Sequence, residues 1–157
     1  ADVVDGPNGD DLSLRPNQVL ALSLPFPLLD GDSAQAVLDA VGRSLSTTYG
    51  LRSLSPDGPA YQGAYGGGPR ERDGAYHQGT VWAWLVGAYV EAYAKVHGQA
   101  AALDLLRPFE NHLRDAGLGS ISEIFEGNPP HHPRGCIAQA WSVAEILRVW
   151  RKLAGSP

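Results

Sequence analysis

Polar and aromatic residues suited to a polyhydroxylated ligand recur in three parts of this chain. A sugar presents hydroxyl groups that need paired donors and acceptors, and C–H faces that pack on aromatic rings. Arginine, asparagine, glutamine and histidine interleaved with tryptophan and tyrosine supply both kinds of contact. The residues that we predict to bind such a substrate are Arg15, Asn17, Gln18, Tyr76, His77, Gln78, Trp82, Glu126, Gln139 and Trp141.

Glu123 is the candidate for a catalytic carboxyl group. Hydrolysis of a glycosidic bond generally uses two carboxyl groups, one as the acid for the leaving oxygen and one as a base or nucleophile at the anomeric carbon. Glu123 lies between apolar neighbours in a loop that leads to a predicted helix. From residue type alone, a capping or ion-paired glutamate is the competing interpretation.

Other chemistries find little support in the sequence. The glycine run at 66–68 lacks the G-K-[ST] ending of a phosphate-binding loop, and no G-x-S-x-G motif is present. The acidic residues within 2–11 do not have the spacing of a calcium loop. His131 and His132, with Cys136 nearby, lack a fourth ligand and the usual zinc spacing. We therefore predict no metal and no cofactor.

Composition narrows the class of partner. The 157 residues carry a formal net charge of −5 with no basic stripe, which disfavours nucleic acid and anionic membranes as partners. No apolar run has the length of a membrane span. The single cysteine, Cys136, excludes an internal disulfide and is compatible with a reducing compartment, so we expect a cytoplasmic protein.

Apolar periodicity predicts about five helices and almost no strands. The predicted helices cover 15–24, 34–46, 80–96, 99–116 with a break at Pro108, and 136–153. Those at 80–96 and 136–153 are apolar on most faces, so we expect them to be buried, whereas those at 34–46 and 99–116 are amphipathic. Glycine- and proline-rich connections at 47–78 and 118–135 separate them, and loops of that length are usually functional.

Alternation of buried and amphipathic helices is typical of helical hairpins stacked in two layers. The long loops would then meet at one end of the array, where we place the site. We therefore predict an all-α fold with long loops at its active-site end, and a small orthogonal bundle is the alternative. Trp84, Tyr89 and Trp150 are assigned to packing because aromatic residues at helical spacing usually belong to the core.

Three sequence blocks together resemble the C-terminal part of the glycogen debranching enzyme family, in its amylo-α-1,6-glucosidase domain. The first is SLRPNQ at 13–18, and the second is DGAYHQGTVW at 73–82. The third combines SEIFEG at 122–127 with RGCIAQAWS at 134–142. The resemblance extends over essentially the whole chain, with the blocks in the same order.

This resemblance implies a fold, a reaction and roles for particular residues. The fold would be part of an (α/α)6 toroid of the glucoamylase-like hydrolases, and the reaction an inverting removal of α-1,6-linked glucose from glycogen or limit dextrin. Glu123 matches the base that deprotonates the attacking water. The motif that opens an inner helix at the pocket is matched by Tyr76, His77, Gln78 and Trp82, and positions expected to line or support the pocket are matched by Arg15, Asn17, Gln139 and Trp141.

Two departures from the family pattern affect this interpretation. The family's general-acid aspartate lies upstream of the part that matches this chain, and Asp5, Asp10, Asp11 and Asp73 belong to other parts of the pattern. Glu126 stands where the bacterial pattern usually has aspartate. We therefore expect residues 1–157 to be the C-terminal portion of one glucosidase domain whose upstream half is absent.

An incomplete domain leaves two functional hypotheses. In the first, the chain is part of a debranching glucosidase and is inactive when isolated. In the second, it is a non-catalytic glucan-binding or interaction module. Because the helices at 80–96 and 136–153 are apolar on more faces than three neighbours can cover, we also expect exposed apolar surface and self-association of the isolated chain.

Overall fold

The computed structural model describes residues 3–155, which combine helices with two small antiparallel sheets. A 3-10 helix, Pro16–Val19, comes first among the helical elements. The α-helices are α1 Leu20–Ser23, α2 Gly31–Ser44, α3 Pro69–Ala75, α4 Leu85–His97, α5 Gln99–Asp104, α6 Arg107–His112 and α7 Ala140–Ala154. The strands are β1 Val3–Gly6, β2 Gly9–Asp11, β3 Ser46–Thr47, β4 Gly50–Arg52, β5 Val81–Trp82, β6 Ile124–Phe125 and β7 Pro133–Arg134.

Several predicted helices are confirmed with shifted ends. The first helical segment starts at Pro16 and ends at Ser23, before the expected proline stop. The break near Pro108 is also confirmed, because α5 ends at Asp104 and α6 carries this proline in its first turn. A proline is tolerated there because the amide it lacks would have no helical partner. Helix α3 was not predicted, since its seven residues are too short to show helical periodicity.

The prediction of an all-α fold forming part of an (α/α)6 toroid is wrong for the chain between residues 3 and 155. Parts of the long connections pair with Val81–Trp82 into one five-stranded antiparallel sheet in the order β3-β4-β5-β6-β7. Trp82, expected in a helix, pairs with Leu51 on one side and with Ile124 on the other. Each of these strands is only two or three residues long, so none could show the alternating pattern by which strands are recognised.

Helix α4 is the central helix, as its sequence predicted. Its residues from Leu85 to Ala92 are buried, including one charged residue, Glu91. The Glu91 carboxylate pairs with Arg148 of α7 at 2.8 Å and with Lys152 one turn further on. Burial pushes the pKa of Glu91 upward, but these hydrogen bonds outweigh it and leave the pKa below its ordinary value.

Helix α7 is far more exposed than predicted. Of its side chains, Ser142 and Val149 are buried, whereas Leu147 is 59% and Trp150 52% exposed. Assignment of Trp150 to the core is therefore wrong, although Tyr89 is buried as expected. The exposed apolar surface agrees with the sequence argument, and self-association through it stays a prediction. No helix within 3–155 is long and apolar enough to cross a bilayer.

Candidate functional site

A pocket of about 760 Å³ opens where the 3-10 helix, the end of α3, the start of α4 and the N-terminus of α7 meet. Most of the residues predicted to carry chemistry line this pocket, although they come from three distant parts of the chain. The lining residues are Asp11, Arg15, Pro16, Asn17, Ser53, Tyr76, His77, Gln78, Trp82, Trp84, Leu85, Glu123, Gln139 and Trp141. The pocket therefore combines aromatic rings, amide groups and two carboxyl groups, which is a surface suited to a sugar.

Glu123 is held at the pocket by a β-hairpin. It immediately precedes β6, and its backbone amide donates to the carbonyl oxygen of Cys136 at 2.9 Å, extending the pairing of β6 with β7. In return, the backbone amide of Cys136 donates to Glu123 Oε2 at 2.8 Å. The other carboxylate oxygen, Oε1, accepts a hydrogen bond from the hydroxyl of Tyr76. Both oxygens of this half-buried carboxylate are thus hydrogen-bonded by the protein.

Tyr76 acts as the donor to Glu123. Burial of its phenol and the hydrogen bond to Glu123 raise the pKa of Tyr76 well above its ordinary value. The hydroxyl therefore keeps its proton at any physiological pH. The ring packs edge-on against Trp82, with centroids 4.8 Å apart and planes at 68°.

Aromatic rings form one wall of the pocket. His77 stacks on Trp82 at 5.0 Å with planes 7° apart, and Trp141 contacts Trp82 and Trp84 at 6.2 and 5.8 Å. Trp82 is 5% exposed, and its Nε1–H is used by the carbonyl oxygen of Tyr76 at 3.2 Å. Trp141 is 49% exposed. Trp82 is therefore the buried ring that supports the wall, and Trp141 is the exposed ring that a ligand can reach.

Arg15 joins the first sequence block to the second. Its Nη1 donates to the carbonyl oxygens of Ser53 and His77 at 3.1 and 2.9 Å, and its Nη2 donates to Gln78 Oε1 at 3.2 Å. Gln18 lies outside the pocket and donates from Nε2 to the carbonyl oxygen of Arg15 at 2.9 Å. Arg15 therefore cross-links two loops in the pocket wall through its hydrogen bonds. Gln18 contacts Arg15 from outside the pocket.

Glu126 lies outside the pocket and directly follows β6, whereas Glu123 directly precedes that strand. Its Oε1 accepts from Nε and Nη2 of Arg134 at 3.1 and 2.9 Å. This pairing holds the hairpin that carries Glu123. Gln139 lies at the pocket, where it is the residue before α7, and its backbone amide donates to the carbonyl oxygen of Ile121 at 2.9 Å.

Glycines let the loops below the pocket approach each other closely. A Cβ on Gly127 would lie 2.2 Å from the carbonyl oxygen of Gly79, and a Cβ on Gly79 would lie 2.6 Å from the ring of Tyr61. Arg52 Nε donates to the carbonyl oxygen of Gly127 at 2.9 Å, which fixes the same contact. These contacts hold the segment that bears His77 and Gln78 against the segment that bears Glu123.

Five lining residues were not among the site residues proposed from the sequence: Asp11, Pro16, Ser53, Trp84 and Leu85. Of these, Trp84 was assigned to packing. Trp84 lies at the start of a helix, two residues from Trp82, and helix starts were expected to face the site, so that position was an available signal. Nothing in the spacing around Ser53 marks it. Within residues 3–155, no three His, Cys, Asp or Glu side chains are grouped so as to hold a metal ion.

Comparisons with known proteins agree with the character of this pocket. A family model described as amylo-alpha-1,6-glucosidase matches residues 1–148. The glycogen debranching enzyme of Saccharomyces cerevisiae (strain ATCC 204508 / S288c) is 30% identical over 94 residues. That alignment covers 56% of this chain and 6% of the yeast protein, so the chain spans a small part of that relative's length.

Proposed function

Because this chain belongs to the amylo-alpha-1,6-glucosidase family, we propose that it forms part of a glycoside hydrolase that removes α-1,6-linked glucose at branch points of glycogen or limit dextrin. The observation that supports this most is the Glu123 carboxylate, held by two hydrogen bonds in a pocket walled by aromatic and amide side chains. Residues 1–157 are proposed to contribute to one glucosidase domain.

Glu123 is the proposed general base of an inverting reaction. Each of its oxygens accepts one hydrogen bond from the protein, so each keeps acceptor capacity for a water molecule. The water oxygen bonds to the anomeric carbon as the bond from that carbon to the leaving oxygen breaks. Glu123 takes the proton of the water, and an acid on the opposite side protonates the leaving oxygen.

The acid must come from a group that is protonated at the working pH. Among the described residues that line the pocket, Asp11 is the other carboxyl group. Its hydrogen bonds with the side chain and backbone amide of Ser13 lower the pKa of Asp11, which favours the charged form that cannot donate a proton. We therefore propose that the acid lies outside these 157 residues and that the isolated chain does not release glucose.

Sugar recognition is assigned to the exposed members of the pocket. Trp141 offers a half-exposed ring on which a sugar face packs. Asn17 and His77 are exposed at the pocket wall, and Gln139 is partly exposed there. The wall is supported by Trp82, Gln78 and Arg15, whose polar groups form hydrogen bonds within the protein.

The test is Glu123→Gln in the intact protein, with Glu126→Gln as the matched control. Because a positioned base contributes roughly 10² to 10⁴ in rate, the first variant should lose that factor or more in kcat while keeping its affinity for a glucose-like inhibitor. The control should stay within a few fold, because Glu126 lies outside the pocket and the amide oxygen of a glutamine can still accept from Arg134.

Two other results would change the proposed role of Glu123 or the proposed function of the intact protein. Near-normal turnover by Glu123→Gln would remove Glu123 from the role of base. Glucan binding by the intact wild-type protein without hydrolysis of any α-1,6-glucosyl substrate would support a non-catalytic binding module instead.

A further inference from the structure

We infer that Tyr76 is a positioning residue for Glu123: its hydroxyl fixes one oxygen of the carboxylate, while the turn at Gly135 and Cys136 fixes the other. This inference rests on the proposed function, because it concerns how the proposed base is aimed. It differs from the role in sugar binding that the sequence predicted for Tyr76.

The first support for this inference is the fixed place of Tyr76. Its carbonyl oxygen accepts from Thr80 Oγ1 at 2.6 Å and from Trp82 Nε1 at 3.2 Å, at the point where α3 ends. Its ring packs edge-on against both Trp82 and His77, which stack on each other. Backbone and ring are therefore both constrained, so the hydroxyl reaches Glu123 from a fixed direction.

The second support is the single proton of the phenol. A tyrosine hydroxyl donates one hydrogen bond, and that of Tyr76 goes to Glu123 Oε1. Since the pKa of Tyr76 is raised, the donor stays intact across the pH range of the reaction. A sugar hydroxyl would have to compete with a carboxylate for this proton, and hydrogen bonds to charged acceptors are the stronger ones.

The third support comes from the opposite oxygen. Gly135 adopts φ +68°, and a Cβ there would lie 2.3 Å from Glu123 Oε2. This turn directs the Cys136 amide at the same oxygen, at 2.8 Å. A side chain at position 135 would push the carboxylate away from that amide. The two sides of Glu123 are thus fixed independently, by α3 on one side and by β7 on the other.

Tyr76→Phe in the intact protein removes the hydroxyl and keeps the ring. We expect kcat on an α-1,6-glucosyl substrate to fall roughly ten- to a hundredfold, with KM and inhibitor affinity within about twofold. Tyr65→Phe is the matched control, because Tyr65 contacts the Tyr76 ring at 6.0 Å without lining the pocket. Unchanged kcat in Tyr76→Phe, or a loss confined to KM, would overturn the inference.

A double-mutant cycle separates action through Glu123 from independent action. If Tyr76 acts through the base, Tyr76→Phe should cost nothing further once Glu123→Gln is present, so the double variant should match Glu123→Gln within about twofold. A further full loss in the double variant would show that Tyr76 acts on the substrate directly.

A second experiment uses α-glucosyl fluoride, whose leaving group needs no acid. Its hydrolysis should show the same defect in Tyr76→Phe. Recovery of activity on this substrate would place Tyr76 on the leaving-group side and overturn the inference.

Gly135→Ala tests the other side, with Gly119→Ala as its control. Both glycines have positive φ, so both variants carry backbone strain, but a Cβ at Gly119 meets no atom within 4 Å. We expect Gly135→Ala to lose kcat at least tenfold more than Gly119→Ala, each measured on folded protein; equal losses would contradict the inference. Should Glu123→Gln itself be active, the assignment of Glu123 as the base fails; should the wild type hydrolyse no α-1,6-glucosyl substrate, the proposed function fails; should Glu123→Gln be inactive and Tyr76→Phe normal, only this inference fails.

Discussion

The pocket and the groove on the outer face of α5, α6 and α7 have similar volumes but are lined by different kinds of side chain. The pocket is lined by side chains that are hydrogen-bonded to one another and to backbone, as Arg15 and Glu123 illustrate. The groove on the outer face, about 850 Å³, is lined largely by apolar side chains such as Leu113, Leu147 and Trp150, which remain partly exposed. We place the proposed chemistry in the region whose side chains are fixed by hydrogen bonds.

This difference follows from how each region is held. Around the pocket, short paired strands and close glycine contacts hold the backbone, and a Cβ at Gly127 or Gly79 would clash with neighbouring atoms. On the groove side, apolar packing of α7 on α4 and α5 is sufficient, because it sets no direction for a polar group. Substitutions should therefore affect the two regions differently.

The largest stability effect should come from Gly127→Ala. Its new Cβ would lie 2.2 Å from the carbonyl oxygen of Gly79, a backbone atom that cannot move without shifting the loop beneath the pocket. We expect the free energy of unfolding to fall by about 3 kcal/mol or more. Gly66→Ala is the control, because its Cβ meets nothing within 4 Å, and should change stability by less than about 0.5 kcal/mol. Equal denaturation midpoints for the two variants would contradict the account of this region.

Adjacent residues of α7 provide the next comparison. Val149 is fully buried, whereas Trp150 is 52% exposed in the groove. Val149→Ala should therefore cost roughly 1 to 2.5 kcal/mol, and Trp150→Ala less than about 1 kcal/mol despite removing a larger side chain. Urea denaturation measures both. A greater loss from Trp150→Ala would show that the groove is covered in solution.

Several residues of the pocket could be proposed from the sequence because their types are distinctive. Glu123, His77 and Trp141 stand out in blocks far apart along the chain, and the structure brings them to one pocket. Helices α2 and α4 were also predictable, since each is long enough to show an apolar face. The two helices pack against each other, as their apolar faces indicate.

The five-stranded sheet could not be predicted because each of its strands is only two or three residues long. Val81–Trp82 and Ile124–Phe125 are strands only through their partners across the sheet, and a run of two residues has no period. Gln18 and Glu126 lie outside the pocket for a related reason. Both have types suited to a sugar, but tertiary contacts with Arg15 and Arg134 decide what their polar atoms do.

A pH effect on stability should arise from Glu91. Because its pKa is lowered in the folded state, its contribution is present above the ordinary glutamate value of about 4.5 and is lost as the pH falls through the folded value. Stability should therefore decline below about pH 4.5 more steeply in the wild type than in Glu91→Gln, which cannot titrate. Parallel pH profiles of the unfolding free energy would refute this assignment.

The smallest effect should come from Asp11→Asn in the intact protein. If the hydrogen bonds from Ser13 keep Asp11 charged, it is no acid, and kcat should change by less than about fivefold. Steady-state kinetics on a branched limit dextrin measures this. A loss of several orders of magnitude would make Asp11 the second carboxyl group of the reaction.

The most direct test of Glu123 as the base is azide rescue of Glu123→Ala in the intact protein. Removal of the side chain leaves room on the side from which water attacks, and azide needs no base to react there. We predict that azide restores turnover of an α-glucosyl substrate and yields β-glucosyl azide, identified by NMR. Absence of rescue in a folded variant that still binds inhibitor, or formation of the α-azide, would contradict the claim that Glu123 activates water on the face opposite the leaving oxygen.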